Sequence, residues 1–221
     1  MAKLCPSKNK YLKLDNILIT FESEGILPKF VKEQTAQAMQ SKTDPNTGRV
    51  VYRCHNDFGP LDPSGLGNMY PQPTDFGAAT LLGNGRHDGA VQLGTRPIQP
   101  GHYRAPEVVL GCGWSFSADI WNLGVIVWNI IEGTRLFNQV QDAEGNYNPK
   151  AHLAEMIALL GPPPKKLLVM SDSMAQVEWS LPITHERDKI YNNNREYFGG
   201  PYFDNKGNRV IVKRPVYLLR I

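Results

Sequence analysis

Cysteine is scarce in this sequence. Cys5, Cys54 and Cys112 form an odd, widely spaced set with no C-x-x-C pair and no histidine pair at zinc-finger spacing. A disulfide framework and a structural zinc module are therefore excluded as expectations. Long apolar runs are missing too: no stretch approaches about eighteen consecutive apolar residues, and Met1 to Pro6 has no apolar core of signal-peptide length. The expectation is a soluble intracellular protein without membrane contact. A strong excess of either charge is also lacking, with 24 Lys and Arg against 21 Asp and Glu, a net +3. Residues 202 to 221 hold Lys206, Arg209, Lys213, Arg214 and Arg220 against Asp204, so the rest of the chain is at −1. Direct nucleic-acid binding gains no support from the body. The tail's cations alternate with Val210, Ile211, Val212, Val216 and Tyr217, the pattern of a solvated strand face.

What is present suits a folded protein of 221 residues, 41% of them hydrophobic and 10% aromatic, enough for one medium domain or one and a fragment. Ile17 to Thr20 reads as a strand. Lys29 to Gln40 reads as a short helix, Asp44 to Gly48 as a turn and Arg49 to Arg53 as a strand; Pro60 to Pro73 is rich in Gly and Pro. Residues 22 to 74 thus look like an insertion. Asp75 to Tyr103 is Gly-rich with little periodicity, which predicts a long loop. Ser117 to Glu132 is apolar on nearly every face and predicts a buried central helix, capped by Ser115 or Ser117 and stopped at Gly133. A second helix is expected over His152 to Leu160, stopped by Gly161 and three prolines, with a short one over Met170 to Val177. Ser180 to Arg195 is mostly polar, and Tyr202 to Tyr217 could form a hairpin.

Four short strings occur in an informative order: Leu12-Lys13-Leu14-Asp15-Asn16, Asp75-Phe76-Gly77, Ala105-Pro106-Glu107, and Asp119-Ile120-Trp121-Asn122-Leu123-Gly124. One such tripeptide arises by chance roughly once in thirty or forty chains of this length, so the ordered set is informative where each alone is not. With these motifs the chain resembles the C-terminal lobe of a eukaryotic serine/threonine protein kinase over residues 12 to 201. The resemblance points to the fungal SR-protein kinase group, through the long insert and the runs Ile98 to Glu107 and Gly113 to Trp121.

The resemblance implies an α+β fold, a mainly helical kinase C-lobe with a few short strands and without the N-terminal lobe. Residues 1 to 11 form a divergent lead, 75 to 107 the activation segment, 117 to 132 the central helix and 202 to 221 a divergent basic tail. It implies ATP and magnesium as cofactors, a protein substrate that is Arg-Ser-rich, and residence in the cytoplasm or nucleus. Lys13 takes the place of the catalytic-loop lysine that meets the transferred phosphate, Asn16 and Asp75 those of the magnesium ligands, and Leu18 that of the apolar residue beneath adenine. Glu107 matches a structural acid that pairs with an arginine far downstream, and Asp119 one that caps catalytic-loop amides. Asp57-Phe58-Gly59 is a second copy of the magnesium triplet. Spacing to Ala105-Pro106-Glu107 favours Asp75, leaving Asp57 as a turn residue and Phe58 as a local anchor. Thr80 and Thr95 lie in the activation-like loop, where each reads as an ordinary surface threonine.

Three departures bear on activity. The base aspartate of such a loop lies five residues before the magnesium asparagine, and Tyr11 stands there, with Asn9 in the histidine position. A phenol with a reference pKa near 10 is no substitute base at neutral pH. The Gly-rich loop, the phosphate lysine and its glutamate partner belong to an N-terminal lobe of roughly 80 to 100 residues that has no counterpart here. Pro100 stands where many of these kinases have threonine. The expectation is a kinase-like chain that is itself inactive. The alternatives are a pseudokinase-like binding module or a fragment of an active kinase.

Overall fold

The computed structural model describes residues 12–37, 40–53, 57–80, 82, 92–184 and 189–203. Tyr11, the lead and nearly all of the basic tail, with its expected hairpin, lie outside the described residues. The chain divides into two compact units, one of Ile17–Thr74 and one of Met1–Asn16 with Asp75–Ile221.

In the Ile17–Thr74 unit, β1 (Ile17–Ile19) pairs antiparallel with β4 (Pro71–Pro73), Leu18 opposite Gln72. The ladder continues through Thr20 N to Tyr70 O at 3.0 Å. This pairing draws the boundary of the unit at Ile17, ahead of residue 22. Helix α1 (Ile26–Ala36) begins and ends earlier than expected and buries none of its residues. Strands β2 (Ser41–Thr43) and β3 (Val50–Tyr52) form a hairpin whose six residues are all exposed. The Asp44 carboxylate organises its turn by accepting from Asn46 N at 2.8 Å. Phe58 packs edge-on to Phe21, centroids 4.8 Å apart, and against Phe30 at 4.6 Å, while Asp57 Oδ1 accepts from Gly59 N. The second triplet is therefore built into the aromatic centre and a local turn of this unit.

The other unit is organised by α2 (Pro106–Leu110), α3 (Ser117–Glu132), α4 (Pro149–Leu160), α5 (Lys165–Met174) and α6 (Asn194–Phe198), with a small ribbon of β5 (Ile183–Thr184) and β6 (Ile190–Tyr191). Pro106 opens α2 where its missing N–H costs nothing, and Gly111, left-handed at φ 69°, closes it. Val108, Val109 and Leu110 are buried, and α2 packs on α4, α5 and α6. Ala105, Val108, Trp114, Ala118 and Phe198 form the core. Trp114 is locked in by backbone bonds to Gly94 and by Nε1 donating to Arg96 O at 2.7 Å; a Cβ on Gly94 would lie 2.3 Å from the indole. Helix α4 starts three residues before His152 because Asn148 caps it, accepting from Lys150 N and Ala151 N. Helix α6 begins at the last two residues of the stretch read as merely polar and runs past it. Asn193 accepts from Glu196 N while Glu196 accepts from Asn192 N, a reciprocal cap.

The fold is thus mainly helical with short two-stranded ribbons, as expected. The central helix departs from expectation in two ways. Neither serine caps it: Phe116 occupies the N-cap position, without a side-chain bond, and Ser117 is the first helical residue. Nor is it buried all round. Ala118, Asn122, Val125 and Ile126 are buried, whereas Ile120, Leu123, Val127, Ile130 and Ile131 are exposed. Periodicity could not separate these sides because both are apolar.

His152 of α4 is fully buried, edge-on to Phe137 at 4.6 Å, and its Nδ1 shares a 3.0 Å hydrogen bond with Tyr147 Oη. Burial, reinforced by Arg104, holds the imidazole neutral with its pKa pushed down to about 3. The unfolded chain takes up this proton near the ordinary 6.5, so the stabilisation is complete above that value and lost as pH falls toward about 3. On the order of 4 kcal/mol is at stake at the acid end. Urea midpoints measured from pH 7 to pH 4 should fall steadily, and His152→Gln should flatten that fall.

Candidate functional site

Residues 12 to 16 form a tight hook. A 3-10 turn over Leu14–Asn16, closed by Asn16 N donating to Lys13 O at 2.9 Å, turns Asn16 inward and leaves Leu14 and Asp15 exposed. Lys13 Nζ donates to Asp15 Oδ2 at 3.0 Å. The Asp15 carboxylate is 79% exposed, so water competes for the pair and it contributes little stability, although the Lys13 side chain is 29% exposed. Lys13 can therefore exchange Asp15 for another anion at small cost.

Asp75 lies at φ 65°, ψ 56°, a left-handed conformation uncommon for a residue with a side chain, and opens a 3-10 turn over Phe76–Ala78. Such conformations cost about 1 kcal/mol or more and cluster at working sites. Phe76 is 68% exposed. Asn16 and Asp75 belong to the same unit and would supply one amide oxygen and one carboxylate. Both are hard ligands of the kind magnesium takes one or two at a time, completing its shell with phosphate and water. No cluster of three His, Cys, Asp or Glu able to hold a metal occurs among the described residues. One amide oxygen and one carboxylate fit a cation that arrives with a phosphate. Leu18, half exposed on β1, belongs to the other unit.

The stretch leading into α2 is the most tightly bonded part of the site. Gln99 is 1% exposed and left-handed at φ 70°. Its amide donates to Ala118 O and to Asn122 Oδ1, both at 2.7 Å, and its carbonyl accepts from Ala105 N at 2.7 Å. Asn122 in turn donates to Leu12 O at 2.9 Å. Two buried amides thus tie the residue before Lys13, the start of α2 and the middle of α3 together. Nearby, Arg104 lies over Tyr147 at 4.3 Å and Phe198 at 5.2 Å and donates to Ile98 O. The stacked rings compensate a guanidinium that is only 7% exposed. Thr95 carries its load through its backbone, its carbonyl accepting from Trp179 Nε1 and Asn194 Nδ2. Thr80 is exposed.

Glu107 accepts from Ser117 Oγ at 3.1 Å, linking α2 to the first turn of α3. Asp119 is in that same turn. It is exposed, yet partial desolvation raises its carboxyl above the ordinary carboxylate range. The catalytic-loop amides it is expected to cap precede Leu12 and lie outside the described residues. His102 is half-buried. Burial lowers its pKa, Arg135 and Lys13 reinforce this, and Asp15 opposes it. The Lys13–Asp15 pair is therefore within electrostatic reach of the turn at Gly101–Tyr103.

Gln99, Asn122 and His102 were not singled out from sequence. A positive φ leaves no mark in a one-letter code. Asn122 did leave one, since an amide inside an apolar helical run must find partners when buried. A shallow surface dimple between α2, α5 and α6, too small for a ligand, is lined by Ser171, Asn194 and Arg195 among others, and by none of Lys13, Asn16 and Asp75.

Comparison with known proteins bears on this arrangement. The sequence model of the protein kinase domain matches residues 69–181. A serine/threonine protein kinase of Aspergillus fumigatus is 43% identical over 145 residues, 66% of this chain and 33% of the relative. The serine/threonine-protein kinase AFC2 of Arabidopsis thaliana is 39% identical over 98 residues, 44% of this chain and 19% of its own. The dual specificity protein kinase lkh1 of Schizosaccharomyces pombe is 36% identical over 102 residues, 46% and 13% respectively. The matched part of this chain spans a third or less of the length of each.

Replacing Asn122 by Leu strands the Leu12 carbonyl and removes one acceptor from Gln99. Buried groups left without partners cost about 1–3 kcal/mol each. Asn122→Leu should therefore lower the unfolding free energy by about 2–4 kcal/mol at unchanged m-value in urea. A loss under about 0.5 kcal/mol would show that the amide is not needed.

Proposed function

Because the chain belongs to the protein kinase domain family, we propose that its lineage reaction is ATP-dependent phosphorylation of serine or threonine in proteins, and that Lys13, Asn16 and Asp75 are its phosphate- and magnesium-facing residues. The observation that carries this is the occurrence in one compact unit of the Lys13–Asn16 hook, the left-handed Asp75 and the bonded stretch from Gln99 into α2. The family match begins at 69, so it contains Asp75 and leaves Asp57 outside, which supports the choice between the two triplets.

Magnesium bound with ATP would supply positive charge against the phosphate oxygens as charge shifts toward the leaving group. The chain's own contributions are simpler. Asp75 and Asn16 would offer oxygens to the cation, and Lys13 would exchange Asp15 for the transferred phosphate. The Gln99–Asn122 bonds hold the substrate-side loop and the residue before Lys13 to one helix. The proposed substrate is an Arg-Ser-rich protein met inside the cell, in cytoplasm or nucleus, on the strength of the runs Ile98 to Glu107 and Gly113 to Trp121. In the proposed layout the kinase-like region is 12 to 201, with 22 to 74 as insert and 75 to 107 as activation segment.

The 221 residues by themselves are proposed not to transfer phosphate, because Tyr11 stands five before Asn16 and cannot serve as the carboxylate base there. A second reading, a segment of a working kinase, is supported by the one-third share of the Aspergillus relative that is matched. Incubating the purified chain with magnesium, labelled ATP and an Arg-Ser repeat peptide should give no incorporation above a no-enzyme control. Incorporation that vanishes in Asp75→Ala would overturn the inactivity claim. If Mg·ATP binds at all, Asp75→Ala should weaken it at least about tenfold, as expected for loss of a charged ligand.

A further inference from the structure

The turn Gly101–Tyr103 is held from two sides. Gln99 anchors the chain that enters it, and the chain around and after it rests on Tyr147, from the connection between α3 and α4. A Cβ on Gly101 would lie 2.7 Å from Tyr147 Cδ2 and 3.3 Å from Cγ, and the Arg104 guanidinium lies over the same ring at 4.3 Å. Gly101 is not left-handed, so its backbone would accept any residue. The Tyr147 ring is what demands glycine there. That ring is itself fixed. Tyr147 pairs with Gln141 across a small hairpin, in which Asp142 accepts from Glu144 N at 3.1 Å and from Asn146 N at 2.8 Å. Its hydroxyl shares a 3.0 Å bond with His152 Nδ1 of α4. Burial pushes the phenol up to about 12 against the opposing effect of Arg104, so the ring is uncharged at neutral pH.

We propose that Tyr147 is a positioning residue of the substrate-side loop: by filling the space of a side chain at 101 and carrying Arg104, its ring sets where His102 stands relative to Lys13 and Asp15. The functional part rests on the reading of 98 to 107 as the substrate-side stretch, while the contacts stand without it. The consequence is selection by exclusion. With an aromatic ring at 147, position 101 has room for glycine alone, so the turn meets a substrate with bare backbone at 101 and an imidazole at 102. His102 is stacked on the Tyr103 ring at 4.3 Å, half-buried, and acted on by Lys13, Asp15, Arg135 and, through the core, His152. Burial is the first cause of its lowered pKa, so raising the turn off Tyr147 exposes the imidazole and returns it toward the ordinary 6.5. The hairpin of Asp142 thus reaches the Lys13–Asp15 pair through one ring and one turn.

A double-mutant cycle in the full chain tests this, read by the NMR titration of the His102 imidazole. Gly101→Ala drives a methyl group into the ring and should raise the His102 midpoint by at least ~0.3 pH unit, about a twofold change in proton affinity. Tyr147→Ala should raise it too, and in that background Gly101→Ala should have no further effect, because the ring it strikes is gone. Tyr147→Phe keeps the ring and should leave the midpoint where it is. Should Tyr147→Ala fail to fold, Gly101→Ala and Tyr147→Phe decide the matter alone. A midpoint unmoved by Gly101→Ala, an effect of Gly101→Ala that persists without the ring, or a midpoint moved by Tyr147→Phe would each overturn the proposal. Neither nucleotide nor substrate enters the measurement, so a failure of the kinase reading leaves its outcome intact, and its own failure leaves that reading standing.

Discussion

The structure turns on a pair of buried amides. Gln99 and Asn122 face each other at 2.7 Å in a place with almost no solvent, and between them they satisfy the Ala118 carbonyl, the Ala105 amide and the Leu12 carbonyl. Each of those backbone groups belongs to a different segment. Since an unpaired buried polar group costs more than the net gain of a hydrogen bond made, the three segments have essentially one arrangement in which all are satisfied. Gln99 reaches its place only by accepting a left-handed backbone, a local cost offset by the bonds it makes. Lys13 and Asn16 follow directly on Leu12, so their position is inherited from α3.

Helix α3 thus has two unlike sides. The inward side carries its specificity in amides and its packing in Ala118, Val125 and Ile126. The outward side carries bulk without polarity. Around the inward side, charges are handled by aromatic rings more than by opposite charges: Arg104 lies over Tyr147 and Phe198, and Arg96 over Trp179. His152 stays neutral beside Arg104, which avoids a second buried cation. This makes the core tolerant of salt and sensitive to acid.

Punctuation was the most legible part of the fold. Pro106 and Gly111 bound α2, Gly133 ends α3, and Gly161 ahead of three prolines ends α4, each where backbone conformation demands that residue type. The turn at Asp44 and the strand after it were equally plain, whereas the strand Ser41–Thr43 that completes the hairpin was not read. Burial was less legible, because α3 is apolar through nearly its whole circumference and sequence cannot say which arc the rest of the chain covers. Caps made of backbone went unseen at Phe116. The Asn193 and Glu196 cap of α6 was present as a signature but straddled the end of a polar stretch and was not read. Of the site, motif order named Lys13, Asn16, Asp75, Glu107 and Asp119, yet gave no hint that Ser117 would hold Glu107. Nor did it show that Gln99, a residue with no catalytic chemistry, would hold the loop.

Native-state hydrogen exchange at the Ala105 amide tests the central claim most directly. That N–H donates to the Gln99 side chain outside any helix or sheet, so its protection reports the amide pair and nothing else. If the pair anchors the unit, Ala105 should exchange only through global unfolding, with protection equal to that of the buried amides of α2. Exchange at the rate of an exposed loop would mean that the anchor opens freely, and that α3 does not hold the segment bearing Lys13 and Asn16 in place.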